Sequence, residues 1–421
     1  MIRDVLIRQK REFEQRLKDR YVERDCPPSA LRDSDLVKVV IGPRRAGKSF
    51  FAVRQIGHVQ GTGYVNFDDE HLDGLTDFDG LLSGVDDLYG RPTHLLLDEI
   101  QNVPRWELLV NRLQREGRRL VVTGSNSHLL SSELATHLTG RHQQILLFPF
   151  SYREVRRMMG TELTQAEQKS LLNRYVRDGG FPEPWVKDVD RTDYLRTLVN
   201  SVLYKDIVKR FHIRAVQGLD DLAHYLFSNV AKEFSYQNLT RTTRCRSVHT
   251  AEKYVRHLQE AFLFFTVKRF SFKVREQAAS NKKVYCLDTG LAVALGFRPG
   301  ADEGRLMENL VAIELHKSEL MGNAEVFFWR GDQGEEVDFV IRQDKKVAAL
   351  LQVCRDISDA RTLSREVRAL VRAGHQLKCR DLLILTEDVE KVEQAEWFGL
   401  KGRIRYVPLW KWLSDRAGSA T

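Results

Sequence analysis

The residues with the clearest chemical capacity stand together at Gly42-Pro43-Arg44-Arg45-Ala46-Gly47-Lys48-Ser49. An apolar run, Leu36 to Ile41, leads into them, and a helical pattern from Lys48 to about His58 follows. This spacing builds a loop whose backbone N–H groups wrap a polyphosphate, and a side chain at either glycine is expected to crowd the anion. The start of the helix adds unpaired N–H groups and the positive end of its dipole. All eight residues are therefore assigned to nucleotide binding. Lys48 is expected to reach the β- and γ-phosphates, and the Ser49 hydroxyl to ligate Mg2+. The plain alternative, a glycine turn into a helix, does not need Lys-Ser at this spacing.

A second cluster tests the first. Leu95-Leu96-Leu97-Asp98-Glu99 is an apolar strand ending in two carboxylates. Asp98 is expected to hold magnesium, directly or through water, and Glu99 to polarise an attacking water as general base. Alone, the pair reads equally well as an acidic turn; beside the phosphate loop it reads as machinery. Val121-Val122-Thr123-Gly124-Ser125-Asn126 is a further strand ending in small polar residues. Asn126 or Ser125 is expected to orient the water, with an ordinary Gly/Asn turn as the alternative. Arg141, just before a fifth strand, fits either a transition-state arginine reaching a neighbouring subunit's nucleotide or a surface arginine.

On these motifs, residues 36 to 150 resemble an ATPase of the AAA superfamily, in the branch with an additional catalytic glutamate. Phe148-Pro149-Phe150-Ser151, Gly179-Gly180-Phe181-Pro182-Glu183 and Lys205-Asp206-Ile207-Val208-Lys209-Arg210 resemble the bacterial and archaeal ATPases that carry an uncharacterised C-terminal domain. The resemblance implies ATP and Mg2+ as cofactors and a homo-oligomer, of which a hexameric ring is one form. No Asn-Lys-x-Asp guanine-reading motif follows the loop, which favours ATP over GTP.

The elements that must position these residues alternate strand and helix. Strands are expected at Leu36–Ile41, Tyr64–Phe67, His94–Leu97, Leu120–Thr123 and Gln144–Phe148, with helices around Trp106–Glu116 and Leu129–Leu138. Apolar strands alternating with helices predict a parallel sheet covered on both faces. A charged amphipathic helix is expected over residues 1–24, ended by Cys26-Pro27-Pro28. The domain reading is an N-terminal helix (1–30), a P-loop ATPase domain (31–150), a helical lid or linker (151–214), a winged helix-turn-helix (215–300) and a degenerate nuclease-like α/β domain (301–421). The fold class is α/β: a P-loop ATPase parallel sheet, then a helical and winged-helix region, then a degenerate restriction-endonuclease-like α/β domain.

Charge points to a second site. The formal net charge is +8, and Arg241 to Lys283 holds eleven Lys/Arg against three Asp/Glu, so the remainder is balanced. Such a local excess predicts an anionic partner, DNA, with a solvated basic face as the alternative. Short helices at Phe234–Leu239 and Ser247–Leu258, then strands at Phe262–Phe272 and Val284–Leu287, suggest a winged helix. Arg244, Arg246, Lys253 and Arg256 would meet phosphates or base edges, and Lys273, Arg275, Lys282 and Lys283 the adjacent backbone. Protein docking is the competing use of such a module.

The C-terminal order, a helix starting at Glu308-Asn309, Asp338 entering a strand, and Gln352 and Cys354 on the next, resembles a restriction-endonuclease-like fold. The resemblance implies a second acid and a lysine at the last motif. Gln352 and Cys354 stand there instead, so structure or nucleic-acid contact is expected rather than cleavage. Three functions are weighed: an oligomeric ATPase that remodels or moves on DNA, a slow nucleotide-dependent switch, and a nuclease. The longest apolar candidate, Ala261 to Val267, has seven residues, too few to span a membrane. Five cysteines without a CxxC pair argue against disulfides and structural zinc, and the chain is expected in the cytoplasm.

Overall fold

The structure is a computed structural model that describes residues 2–26, 34–125, 141–160, 162–296 and 303–415. The chain divides into two compact units, one of Met1–Glu154, Phe181–Val186 and Glu260–Phe262, the other of Val155–Gly180, Lys187–Gln259 and Leu263–Thr421.

In the first unit β1 (Val37–Ile41), β2 (Thr62–Asn66), β3 (His94–Asp98), β4 (Arg119–Gly124) and β5 (His142–Leu146) form one parallel sheet of order β2-β3-β4-β1-β5. This is the expected P-loop sheet. All five residues of β1 are buried. One of them, Lys38, is satisfied by Ser34 Oγ and Gln143 Oε1, each at 2.5 Å. Helices α1 (Ile2–Arg16), α2 (Lys48–Ile56), α3 (Phe78–Tyr89) and α4 (Trp106–Arg115) accompany the sheet. Phe51 and Ile56 of α2 share a core with Val40, Leu96, Val121 and Phe13 of α1. Parallel strands end at the same edge, so Ile41 pairs with Gly124 and Leu97 with Val122, and the three polar loops emerge side by side.

One expectation changes here. The first helix stops at Arg16, and residues 20–24 are non-helical. The helix expected at Leu129–Leu138 lies outside the described residues.

The second unit is built on a nine-stranded mixed sheet, order β13-β14-β12-β11-β10-β9-β7-β8-β6. A helix, Val216–Ser228, precedes β6 (Lys232–Phe234); helices Tyr236–Thr242 and Val248–Glu260 come next, then β7 (Phe264–Arg269) and β8 (Lys282–Cys286). Both β6 and β7 run antiparallel to β8. The segment between β7 and β8 holds a short helix, Val274–Ala279.

Parallel pairing of Lys268 with Phe327 and Arg269 with Phe328 joins this hairpin to β9 (Glu325–Arg330), so the sheet runs without a break into the C-terminal strands. These are β10 (Glu336–Gln343), β11 (Lys346–Val353), β12 (Leu382–Thr386), β13 (Lys391–Trp397) and β14 (Leu400–Pro408). The helix expected to begin at Glu308 begins at Glu303, which places Glu308 one turn inside it and buries it. Helix Ala360–Leu377 closes the core through Ala369, Leu370 and Val371 against Val340, Leu350 and Ile384.

Candidate functional site

At the phosphate loop, Gly47 has φ 92°, the left-handed region where a side chain is strained. A Cβ on Gly42 would lie 1.9 Å from the Leu147 carbonyl oxygen. Packing therefore demands glycine at 42 and backbone conformation demands it at 47, whether or not an anion is bound. Lys48 is 3% exposed; its Nζ donates to the Pro43 carbonyl at 3.0 Å and lies 3.6 Å from Glu99 Oε1. Ser49 Oγ donates to Asp98 Oδ1 at 2.8 Å, and Thr123 Oγ1 donates to the same oxygen. Tyr64 Oη donates to Asp98 Oδ2 at 3.1 Å. Burial, with Glu99 alongside, pushes the Asp98 carboxyl up. A hydroxyl and a carboxylate converging from two loops form a hard-oxygen pair of the kind magnesium takes, so Ser49 and Asp98 fit that ion.

Glu99 has φ 52° and donates its N–H to Thr123 Oγ1 at 3.0 Å, which fixes an unusual backbone position. Its carboxylate accepts from Ser125 Oγ at 3.0 Å and Gln101 Nε2 at 2.5 Å. Burial would raise this carboxyl, but Lys48, Gln101 and Ser125 together hold it below its usual range, hence ionised. At the rim, Arg44 lies 3.4 Å from Asp68 and Arg45 3.8 Å from Glu183.

Residues that complete this site escaped the sequence motifs, Tyr64 on Asp98 among them. Thr123 and Gln101 carry a weak signal, polar residues just after or ending an apolar run. Arg16 and Arg24 carry none, because they return from the N-terminal segment. Arg16 donates to Tyr64 Oη at 2.9 Å and lies 3.6 Å from Asp98 Oδ2. Arg24 is buried, donates to the Ala46 carbonyl at 3.0 Å and pairs with Glu154 at 2.9 Å. The first helix ends early, and Arg24 ties the segment that follows to the phosphate loop.

Arg141 is exposed at the amino end of β5, its carbonyl accepting from Val37 N. That is the edge opposite the phosphate loop, about 16 Å away along a five-residue strand. It does not serve its own chain's nucleotide site. Asn126 lies outside the described residues.

In the basic segment, helix Val248–Glu260 buries Ala251, Tyr254, Val255 and Leu258 and exposes Lys253 and Arg256 on the other face. Ser247 caps it, accepting from Thr250 N at 3.1 Å. Arg246 and Arg275 are exposed; Arg244 lies 3.4 Å from Asp221, and exposed Lys273 pairs with Glu276 at 2.8 Å. Lys282 is half-buried over the Tyr236 ring at 5.0 Å.

Lys283 requires a correction. It is 3% exposed and cannot meet a DNA backbone. Its Nζ lies 2.9 Å from Glu308, 2.5 Å from Glu336 and 3.2 Å from Asp338. Tyr285, two residues on and on the same strand face, donates to Glu308 at 2.7 Å. Of the four residues expected at a degenerate nuclease site, Glu308 and Asp338 come together, around a lysine from a different strand. Burial pulls the ammonium down, but the carboxylates hold it well above its ordinary range. Burial and Asp338 push Glu308 up to about 7.

Gln352 accepts from Asp338 N at 3.1 Å and donates to Glu366. Cys354 is buried, and burial pushes its thiol up to about 11. Among the described residues, no group of three or more His, Cys, Asp or Glu is arranged to hold a metal ion. No helix among them is long and apolar enough to cross a membrane.

Against known proteins, residues 34–156 match the model of an AAA domain. Residues 169–301 and 303–399 match two domains of unknown function (DUF8612 and DUF4143). An uncharacterised protein of Methanocaldococcus jannaschii is 30% identical over 396 residues, 89% of this chain and 88% of that one. An uncharacterised protein of Haemophilus influenzae is 29% identical over 333 residues, 75% and 82% of the two chains. Among solved structures, AMPPCP-bound DnaA from Aquifex aeolicus aligns with TM-score 0.29 and 14% identity, covering 55% of this chain and 85% of that one. The RuvB Holliday junction branch migration motor of Thermotoga maritima aligns with TM-score 0.28 and 15% identity, covering 61% and 87%.

Proposed function

The chain belongs to the family of the uncharacterised Methanocaldococcus jannaschii protein and carries an AAA domain, and from that premise we propose that it is a Mg-dependent ATPase that acts on DNA as an oligomer. One observation carries the nucleotide reading: a buried Lys48 at a left-handed Gly47, with Ser49 hydrogen-bonded to Asp98 at the mouth of the same loop. Gly42 to Ser49 would cradle the phosphates, with Lys48 exchanging a backbone carbonyl and a long ion pair for phosphate oxygens. Ser49 and Asp98 would hold Mg2+, which when bound neutralises phosphate charge. Glu99, kept ionised, would take the proton of the attacking water. Arg141, at the far edge, suits a neighbouring subunit's nucleotide, and Asn126 remains assigned to orienting the water.

Two features support the DNA half. The helix–strand–helix–helix–strand–helix–strand order over Val216–Cys286, with β6 and β7 both antiparallel to β8, supports a winged-helix reading in which the short helix belongs to the wing. Its second helix presents Lys253 and Arg256 outward, with Arg244 and Arg246 before it and Lys273, Arg275 and Lys282 on the wing. The C-terminal strands and their buried residues would then serve as scaffold.

A second reading, a slow switch, is favoured by one detail: Ser125, Gln101 and Lys48 all engage the Glu99 carboxylate. ATP turnover measured with and without duplex, single-stranded and branched DNA separates the two. Stimulation by DNA that is lost in Glu99→Gln supports the motor; DNA-independent turnover with ATP-dependent DNA affinity supports the switch.

A further inference from the structure

The wing carries an aromatic side chain that duplex binding by its cations does not explain. Phe272 is 75% exposed, and nearby Val274 80%. Leaving such surface in water is unfavourable unless something covers it when the protein works. Phe272 does not hang loosely. It meets Phe270 edge-on at 5.1 Å, and Phe270 meets Phe327 edge-on at 5.6 Å, so its base is set by a buried aromatic row.

Beside it opens a cavity of about 540 Å³, lined by Phe270, Phe272, Trp329, Arg269, Arg330 and Gln376, among others. That volume suits a small ligand and is far too narrow for a duplex. Its charged lining is mixed: Arg269, Lys273 and Arg330 against Glu276 and Asp332. The cations are held by exchangeable partners. Lys273 pairs with Glu276 at 2.8 Å, Arg330 with Glu233 at 2.6 Å, and Arg269 donates to the Arg330 carbonyl at 2.9 Å. Partly exposed pairs of this kind are weak enough for a phosphate to replace.

We propose that this cavity takes one unpaired nucleotide of single-stranded or forked DNA, with its base stacked on Phe272 and its phosphates on the flanking cations. Stacking on an aromatic ring is indifferent to sequence, because every base offers a flat face. A base inside a duplex cannot enter without leaving its partner, so the site discriminates for unpaired strands. The inference rests on the DNA reading above and adds the form of DNA that the wing selects.

The test compares Phe272→Ala, Phe272→Trp and the unaltered chain for binding of labelled oligothymidylate and of a blunt duplex of equal length, by fluorescence anisotropy. Phe272 is exposed, so the variants keep the fold. Phe272→Ala is expected to weaken single-strand binding about tenfold, with duplex binding within about twofold, and Phe272→Trp to restore it. Equal loss on both substrates, or no loss on the single strand while the duplex is bound normally, overturns the inference and leaves the DNA reading intact. Failure of the unaltered chain to bind either substrate overturns both.

Discussion

Two lysines, each 3% exposed, sit among carboxylates in the two units of this chain, and they do opposite things. Lys48 makes one backbone hydrogen bond and one ion pair stretched to 3.6 Å. Lys283 has three carboxylates within 3.2 Å. A buried ammonium that is loosely partnered gains from a polyphosphate; one already enclosed by three carboxylates gains nothing from a ligand and instead holds its neighbours together. The first arrangement reads as a site and the second as a brace.

The comparison breaks or sharpens on substitution. The largest effect belongs to Glu99→Gln, which should lower turnover by about 10²- to 10⁴-fold while leaving ATP affinity nearly unchanged, measured by steady-state hydrolysis and nucleotide titration. Loss of affinity in step with turnover would mean that Glu99 builds the pocket instead. Next is Lys283→Met, which strands buried carboxylates and should cost about 3–5 kcal/mol in denaturant unfolding of the second unit. Lys48→Met should cost less, about 1–2 kcal/mol in the first unit, because one backbone hydrogen bond and one long ion pair go. Similar costs for the two would erase the distinction between site and brace.

A smaller effect is pH dependence. Glu308 lies at about 7 in the fold and nearer 4.5 when unfolded, so the folded state binds more protons in between. Stability of the second unit should therefore be greatest below that window and fall as pH rises through it, by about 3 kcal/mol, and Glu308→Gln should flatten the slope. A rising slope would contradict the burial argument. Smallest is Ser125→Ala, which frees one hydrogen bond from Glu99 and should raise basal turnover severalfold if the carboxylate is restrained at rest; a fall would assign Ser125 to orienting Glu99 productively.

How much of this was legible in sequence depends on distance along the chain. The phosphate loop and the Asp98-Glu99 pair are local spacings on apolar strands, and the parallel sheet follows from their alternation. Ser125 was named for the same reason. Arg16 and Arg24 were invisible because nothing in an amphipathic helix and its coil says that they fold back onto Asp98 and Ala46. Lys283 was misread because counting charge assigns every lysine to the surface. Its partners lie 25 to 55 residues away, and the only local hint is that Lys283 and Tyr285 share one face of a strand. The same long-range pairing, β7 on β9, joined a hairpin that reads as self-contained to the C-terminal sheet.

Titration calorimetry of the whole chain with Mg–ATP addresses the central claim most directly. One saturable binding event per chain is expected, and it should vanish in Lys48→Ala. No heat with the unaltered chain, or equal binding by the variant, would contradict it.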